Sequence, residues 1–183
     1  MAEKTTHFGR AGEYHAMSEL LLRGWNVAVP VVDVGDDAFV IDDRSKTVYR
    51  VQVKSAQATC LSKDDERWKA DFSLNRDQLR TLQEVELFYL LLARCAERWR
   101  FFVIPRPALA NVRQAQIATP RSGPGRPMLA DEDATTKGLM FSVTIQKDSA
   151  SGWGADLTGY LDAWPDELTI VPDGPGSRRV DDP

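Results

Sequence analysis

The sequence predicts an α/β domain in which a central mixed β-sheet is flanked by helices. Three observations carry that prediction. A helical periodicity opens the chain, two short alternating apolar runs follow around a polar turn, and a capped helical segment then leads into two longer apolar runs.

Each element has its own signal. Between Phe8 and Arg23, the residues Glu13, Met17, Leu20 and Gly24 recur at helical spacing, so Glu13 shares a face with apolar Met17 and Leu20. Gly24 ends this helix, and Val27, Val29 and Val31 alternate into a first strand that Pro30 marks as an edge or an end. Asp37 to Ile41 form the second strand. Asp42-Asp43-Arg44-Ser45 is the turn, and Thr47 to Ser55 form the third strand. The polar segment 57–70 reads as an exposed loop or hairpin tip inserted beside these strands. Asn75 caps a helix running through Leu79, Leu82 and Val85. Leu87 to Ala93 and Trp99 to Ile104 are paired strands, followed by a helix from Pro107 to Gln116. The Gly, Pro, Ser and Arg content of 119–127 predicts a linker. Phe141, Val143 and Ile145 alternate as a late strand, and Leu157, Tyr160, Leu161 and Trp164 predict a final amphipathic helix. From Pro172 the tail is expected to be disordered. The expected organisation is thus one domain over residues 1–118. Residues 119–183 would add a flexible linker, a strand-helix extension packing on the core, and the tail.

Composition narrows the function classes. With 183 residues, 43% hydrophobic and 27% charged, the chain can bury one substantial core. No run of roughly 18 apolar residues occurs and the first ten residues lack a signal-peptide pattern, so a cytoplasmic protein without membrane association is expected. Cys60 and Cys95 have no metal-ligand spacing and no partners for a disulfide framework, and read as free thiols. The net charge of -4 hides an asymmetry. Residues 94–126 carry seven arginines against one acid, a net of +6, whereas 131–183 carry four basic groups against eleven acids, a net of -7. Arginine forks suit phosphate oxygens, although a solvated face balanced by the acidic region explains the same pattern.

The chemistry concentrates on the second and third strands. Gln52 and Lys54 alternate onto one face of the third strand while Val51 and Val53 take the other, and Asp37 opens the neighbouring strand. A polar pair facing an acid across adjacent strands is a poor core and a good metal-assisted phosphodiester site. Asp36 competes with Asp37 for the strand position. Asp37 is preferred because it directly precedes the apolar run, with Asp33 and Asp36 as neighbouring or substitute ligands.

The element order, with Gly9-Arg10-Ala11-Gly12-Glu13 on the first helix, Asp37 before Ala38-Phe39-Val40, and Gln52-Val53-Lys54 on the third strand, resembles the PD-(D/E)XK nuclease superfamily over residues 8–104. More narrowly, it is similar to members with Gln-x-Lys in place of Glu-x-Lys. The resemblance implies a restriction-endonuclease-like αβββαβ core with a C-terminal extension, and a magnesium-dependent deoxyribonuclease in which manganese can substitute. It implies Glu13 and Asp37 as metal ligands, Gln52 as the variant ligand and Lys54 as the catalytic lysine. The Val53 backbone carbonyl adds a further metal-binding oxygen. Two departures stand out, the missing proline beside Asp37 and the amide at Gln52. With two anionic ligands instead of three, one weakly held ion is expected.

Further nucleic-acid contacts are assigned to Arg10, His15, Ser55, Lys63, Arg67 and Lys69. DNA is the expected partner, with RNA as an alternative substrate and a homodimer as a way to cut two strands. A catalytically silent nucleic-acid-binding module is the competing reading, and an accessory or immunity-type module docking a protein partner is another.

Overall fold

Residues 2–32, 35–42, 46–82, 84–119 and 136–169 are described in a computed structural model. The first expectation to be met is the hairpin-like pair at the centre of the sequence. β2 (Ala38–Asp42) lies antiparallel to β3 (Thr47–Gln57), with Ala38 opposite Val51 and Asp42 opposite Thr47. A short β1 (Asn26–Ala28) extends this sheet on the far side of β2, ending well before Val31 as Pro30 requires. On the other side β3 pairs in parallel with β6 (Leu87–Cys95), and β6 forms an antiparallel hairpin with β7 (Arg98–Pro105). The sheet order is therefore β1-β2-β3-β6-β7, a mixed sheet. β6 is apolar and buried along nearly its whole length because both of its faces are covered.

The segment between β3 and β6 departs from expectation. Residues 57–70 are not an isolated loop. β4 (Thr59–Ser62) and β5 (Arg67–Asn75) form a hairpin whose second strand is central to another sheet. β5 pairs with β8 (Gly138–Gln146) from Arg67 opposite Gln146 to Asn75 opposite Gly138, and β9 (Ser149–Gly152) and β10 (Ala155–Asp156) complete the order β10-β9-β8-β5-β4. Ala70, Phe72 and Leu74 of β5 alternate inward with Phe141, Val143 and Ile145 of β8, and bury against Tyr89, Leu91 and Phe102 of the first sheet. The late strand is thus an integral partner of the polar insertion.

Helices close the layers. α1 (Ala2–Leu22) covers the opposite face of the first sheet through Ala16 and Leu20, which pack with Val40, Val51, Val53 and Leu90. α2 (Arg76–Arg80) is capped by the Asn75 side chain as expected, but stops after five residues, leaving Leu82 exposed. α3 (Arg106–Ala118) packs Leu109 into the core between the sheets. The expected final helix is absent. Thr158–Tyr160 and Asp166–Leu168 are short 3-10 turns, because Gly159 and Pro165 interrupt the run and Leu161 bridges to Phe102 instead. Of the expected linker 119–127, Thr119 caps α3 and the rest lies outside the described residues, as does the expected tail from Pro172. Among the described residues no helix is long and apolar enough to cross a membrane. Both cysteines are free, as expected, and Cys95 closes β6.

The arginine-rich stretch is largely structural where it is described. Arg106, only 3% exposed, donates to both oxygens of Glu86 at 2.9 and 3.2 Å and to the Leu79 carbonyl at 3.1 Å, tying α3 to the end of α2. Arg113 lies over Trp153, and Arg100 pairs with Asp162 from the acidic region. Glu86→Ala leaves the buried Arg106 guanidinium without its counter-charge. Since Glu86 itself is one-third exposed, the expected loss is about 2–3 kcal/mol, below that of a fully buried pair. Urea denaturation checks this, and a change under about 0.5 kcal/mol would contradict it.

Candidate active site

β3 outruns β2. Pairing between them ends at Ala38 opposite Val51, with one further hydrogen bond from Asp37 N–H to the Val51 carbonyl at 3.0 Å, so the β3 edge beyond Val51 is open. Gly35, at φ +91°, adopts the left-handed conformation that delivers Asp36 and Asp37 to this point. The two acids then diverge. Asp36 is 4% exposed and forms a two-pronged pair with Arg50, at 2.9 Å to Nε and 2.8 Å to Nη2, so it anchors the strand entry. Asp37 faces the open edge. Its Oδ2 accepts the Val53 backbone N–H at 2.7 Å and a short hydrogen bond from the Gln52 amide nitrogen. Among the described residues no donor reaches its Oδ1. Asp33 lies outside them.

Glu13 arrives from α1, and Gly12 is the reason it can. The stripe that buries on β3 is Gly12, Ala16 and Leu20, not the Met17 and Leu20 face expected from spacing; Glu13 lies beside it, half-buried. A Cβ on Gly12 would stand 2.6 Å from Ser55 Cβ and 2.8 Å from its Oγ, so only glycine lets the helix approach the strand this closely. Gly12→Ala is expected to cost about 1–3 kcal/mol and displace Glu13, with Ser55→Gly restoring most of the loss. Denaturation of the single and double variants tests the contact, and additive losses would refute it.

Electrostatics show that these groups share one locality. Burial pushes the Asp37 carboxyl above its ordinary range; the Val53 N–H and the Lys54 charge oppose this, the Glu13 charge adds to it, and the Gln52 amide opposes it. Arg10 donates to Glu13 at 2.6 Å, and Asp37 as well as Glu13 favours its protonated form. Lys54 lines a shallow cavity of about 220 Å³ with Ser73, Asn75 and Lys137, where the second sheet meets the first. Asp37 thus touches Gln52 and Val53 and lies within electrostatic reach of Glu13, Lys54 and Arg10.

The remaining expected contacts are not in this group. Ser55 lies under Gly12 at the α1 contact. His15 stacks on Trp99 at 5.8 Å, an aromatic packing role. Lys63 and Arg67 lie at the hairpin tip, separated from Asn75 by roughly 25 Å of β5 at about 3.3 Å per residue. Lys69, on the same strand, pairs with Asp71 at 3.1 Å.

The family of PD-(D/E)XK endonucleases matches residues 3–125, which include every one of these side chains except Lys137. This chain belongs to that family. The PD-(D/E)XK nuclease assignment agrees with the observed mixed sheet and its flanking helices. Among solved structures, the chain is similar to the bacterial homing endonuclease I-Ssp6803I, with 24% identity over 56% of this chain and 66% of that chain and a TM-score of 0.40. The match thus spans just under two-thirds of that protein. No curated protein matches.

The donor chemistry of this PD-(D/E)XK site fits a hard divalent cation. Among the described residues no group of three or more His, Cys, Asp and Glu side chains is gathered, so a cation placed here would have at most the two carboxylates of Glu13 and Asp37, with neutral carbonyls as further oxygens. Sequence reasoning missed Gln78, which hydrogen-bonds Gln52 from α2. Its signal was the spacing Asn75-x-x-Gln78, which reads as a capping box.

Proposed function

We propose that this domain is a metal-dependent endonuclease hydrolysing phosphodiester bonds in DNA, with magnesium as its ion and manganese as a substitute. The observation supporting this reading is that Asp37, at the open edge of β3, lies within electrostatic reach of both Glu13 and Lys54. Asp37, Glu13 and the Val53 carbonyl are the oxygens that would hold the ion, and Gln52 would add its amide oxygen only after rotating away from its present orientation. A divalent ion held by these groups lowers the pKa of bound water and offsets charge building on the phosphate.

The chain's own groups divide the remaining work. Lys54 places an ammonium where charge develops on the non-bridging phosphate oxygens, a stabilisation that grows toward the transition state. Arg10 offsets the Glu13 charge while no cation is bound, and supplies a contact for the adjoining backbone phosphate. A second reading, a catalytically silent nucleic-acid-binding module, draws on the Gln52 amide nitrogen bonded to Asp37, which satisfies part of that carboxylate without a metal.

Incubating the purified chain with plasmid, linear, single-stranded and branched DNA tests the proposal. Cleavage with Mg²⁺ or Mn²⁺ that stops on adding chelator is the expected result. No cleavage of any substrate with either ion would leave the silent module as the better reading.

A further inference from the structure

The strongest unexplained feature is a chain of amides beneath the site. Gln78 Nε2 donates to the Gly35 backbone carbonyl at 2.6 Å and to Gln52 Oε1 at 3.1 Å, while Gln78 Oε1 accepts from the hydroxyl of fully buried Tyr89 at 3.3 Å. Gln52, itself 4% exposed, then turns its amide nitrogen to Asp37 Oδ2. Gln78 is the third residue of α2, where a capping-box glutamine would reach back to its cap; here its side chain is spent on Gly35 and Gln52 instead.

We propose that Gln78 is a positioning residue that fixes the polarity of the Gln52 amide, holding it as a donor to Asp37 and withholding its oxygen from the metal position. The inference rests on the endonuclease reading for its consequence, and on hydrogen-bond chemistry for its cause. A backbone carbonyl only accepts, so the Gln78 end facing Gly35 must be its NH2 group. That choice propagates. With an NH2 group of Gln78 also against Gln52, the facing end of Gln52 must be oxygen, and its own NH2 group is left pointing at Asp37. Reversing Gln52 alone would set two donors against each other at Gln78 and two acceptors against each other at an ionised Asp37, a pairing that an intervening cation or a proton on Asp37 would have to relieve. Reversing both amides would set the Gln78 oxygen against the Gly35 carbonyl. The polarity at the metal position is therefore set from a backbone group on the approach to β2. An amide at position 52 is thus expected to weaken metal binding by more than the loss of one charge. Its oxygen is already committed.

Two measurements test this on Gln78→Leu, with Gln78→Met as the alternative should the first fail to fold. In the metal-free state, the side-chain amide protons of Gln52 are expected to exchange faster in the variant, with the Val53 backbone amide unchanged. Calorimetry with Mg²⁺ is expected to show about three- to ten-fold tighter binding, the worth of one neutral hydrogen bond released. In a Gln52→Glu background, where either oxygen can face the ion, the same Gln78 substitution should bring no tightening. A merely structural Gln78 would weaken or leave unchanged the Mg²⁺ affinity in both backgrounds, and that result overturns the proposal. If wild type binds no Mg²⁺, the metal-site reading fails on its own, and unaltered Gln52 amide exchange in the variant would still refute the role of Gln78.

Discussion

Lys54→Ala is expected to lower the rate of DNA cleavage by about 10²–10³-fold, the loss seen when one preorganised charge-stabilising group is removed. Lys54 sits on the face of β3 shared with Gln52, at the mouth of the small cavity between the two sheets, and no buried cluster includes it. The fold should therefore tolerate the change. Because the ammonium repels a cation held at Asp37, its loss is expected to leave cation affinity unchanged or raise it, so the defect should lie in turnover and not in ion binding. Single-turnover cleavage at saturating metal separates the two. A variant within about threefold of wild type would remove Lys54 from the chemistry.

Asp37→Asn is expected to abolish cleavage, by about 10³-fold or more, while making the metal-free protein more stable at neutral pH. The asparagine oxygen can accept the same Val53 and Gln52 donors at the Oδ2 position, so the local hydrogen bonds survive. What disappears is a buried negative charge. Burial raises the Asp37 carboxyl above its unfolded value, so the folded state holds the proton more tightly than the unfolded chain. Stability is lost as pH rises through the window between the ordinary carboxylate pKa and the raised folded one, then becomes flat. Relative to wild type, Asp37→Asn should gain stability across that window. Metal affinity of the wild type should rise over the same range, since only the ionised carboxylate binds. Thermal unfolding in chelator from pH 4 to 8 reads the effect, and an asparagine variant less stable than wild type at pH 7 would contradict it.

Much of this site could be read from the chain because it is local. Asp37 directly precedes four apolar residues, Gln52 and Lys54 alternate on one strand, and Glu13 follows a glycine on a periodic helix. These are two- and four-residue regularities that sequence exposes. The second sheet was not legible. Ala70, Phe72 and Leu74 do alternate, but the polar segment 57–70 that leads into them reads as an exposed loop, and β8 arrives to pair with β5 only some seventy residues later. The C-terminal segment misled for a related reason. Leu157, Leu161 and Trp164 have helical spacing, yet their burial comes from turns laid against β7 and α1, not from a helix. Arg106 and Arg113 read only as members of a stretch suited either to phosphate or to solvent, because burial of an arginine depends on a remote acid or aromatic ring. Gln78 was hidden behind a capping signature that its position satisfies and its side chain does not.

The central claim is that Glu13, Asp37 and the Val53 carbonyl hold a single divalent cation. Titrating Mn²⁺ into isotope-labelled protein and mapping the paramagnetic broadening of backbone amides tests it most directly. Broadening should begin at Glu13, Asp37, Val53 and Lys54 at the lowest Mn²⁺ and vanish in Asp37→Ala. Broadening that starts elsewhere, or that survives in that variant, would contradict the account.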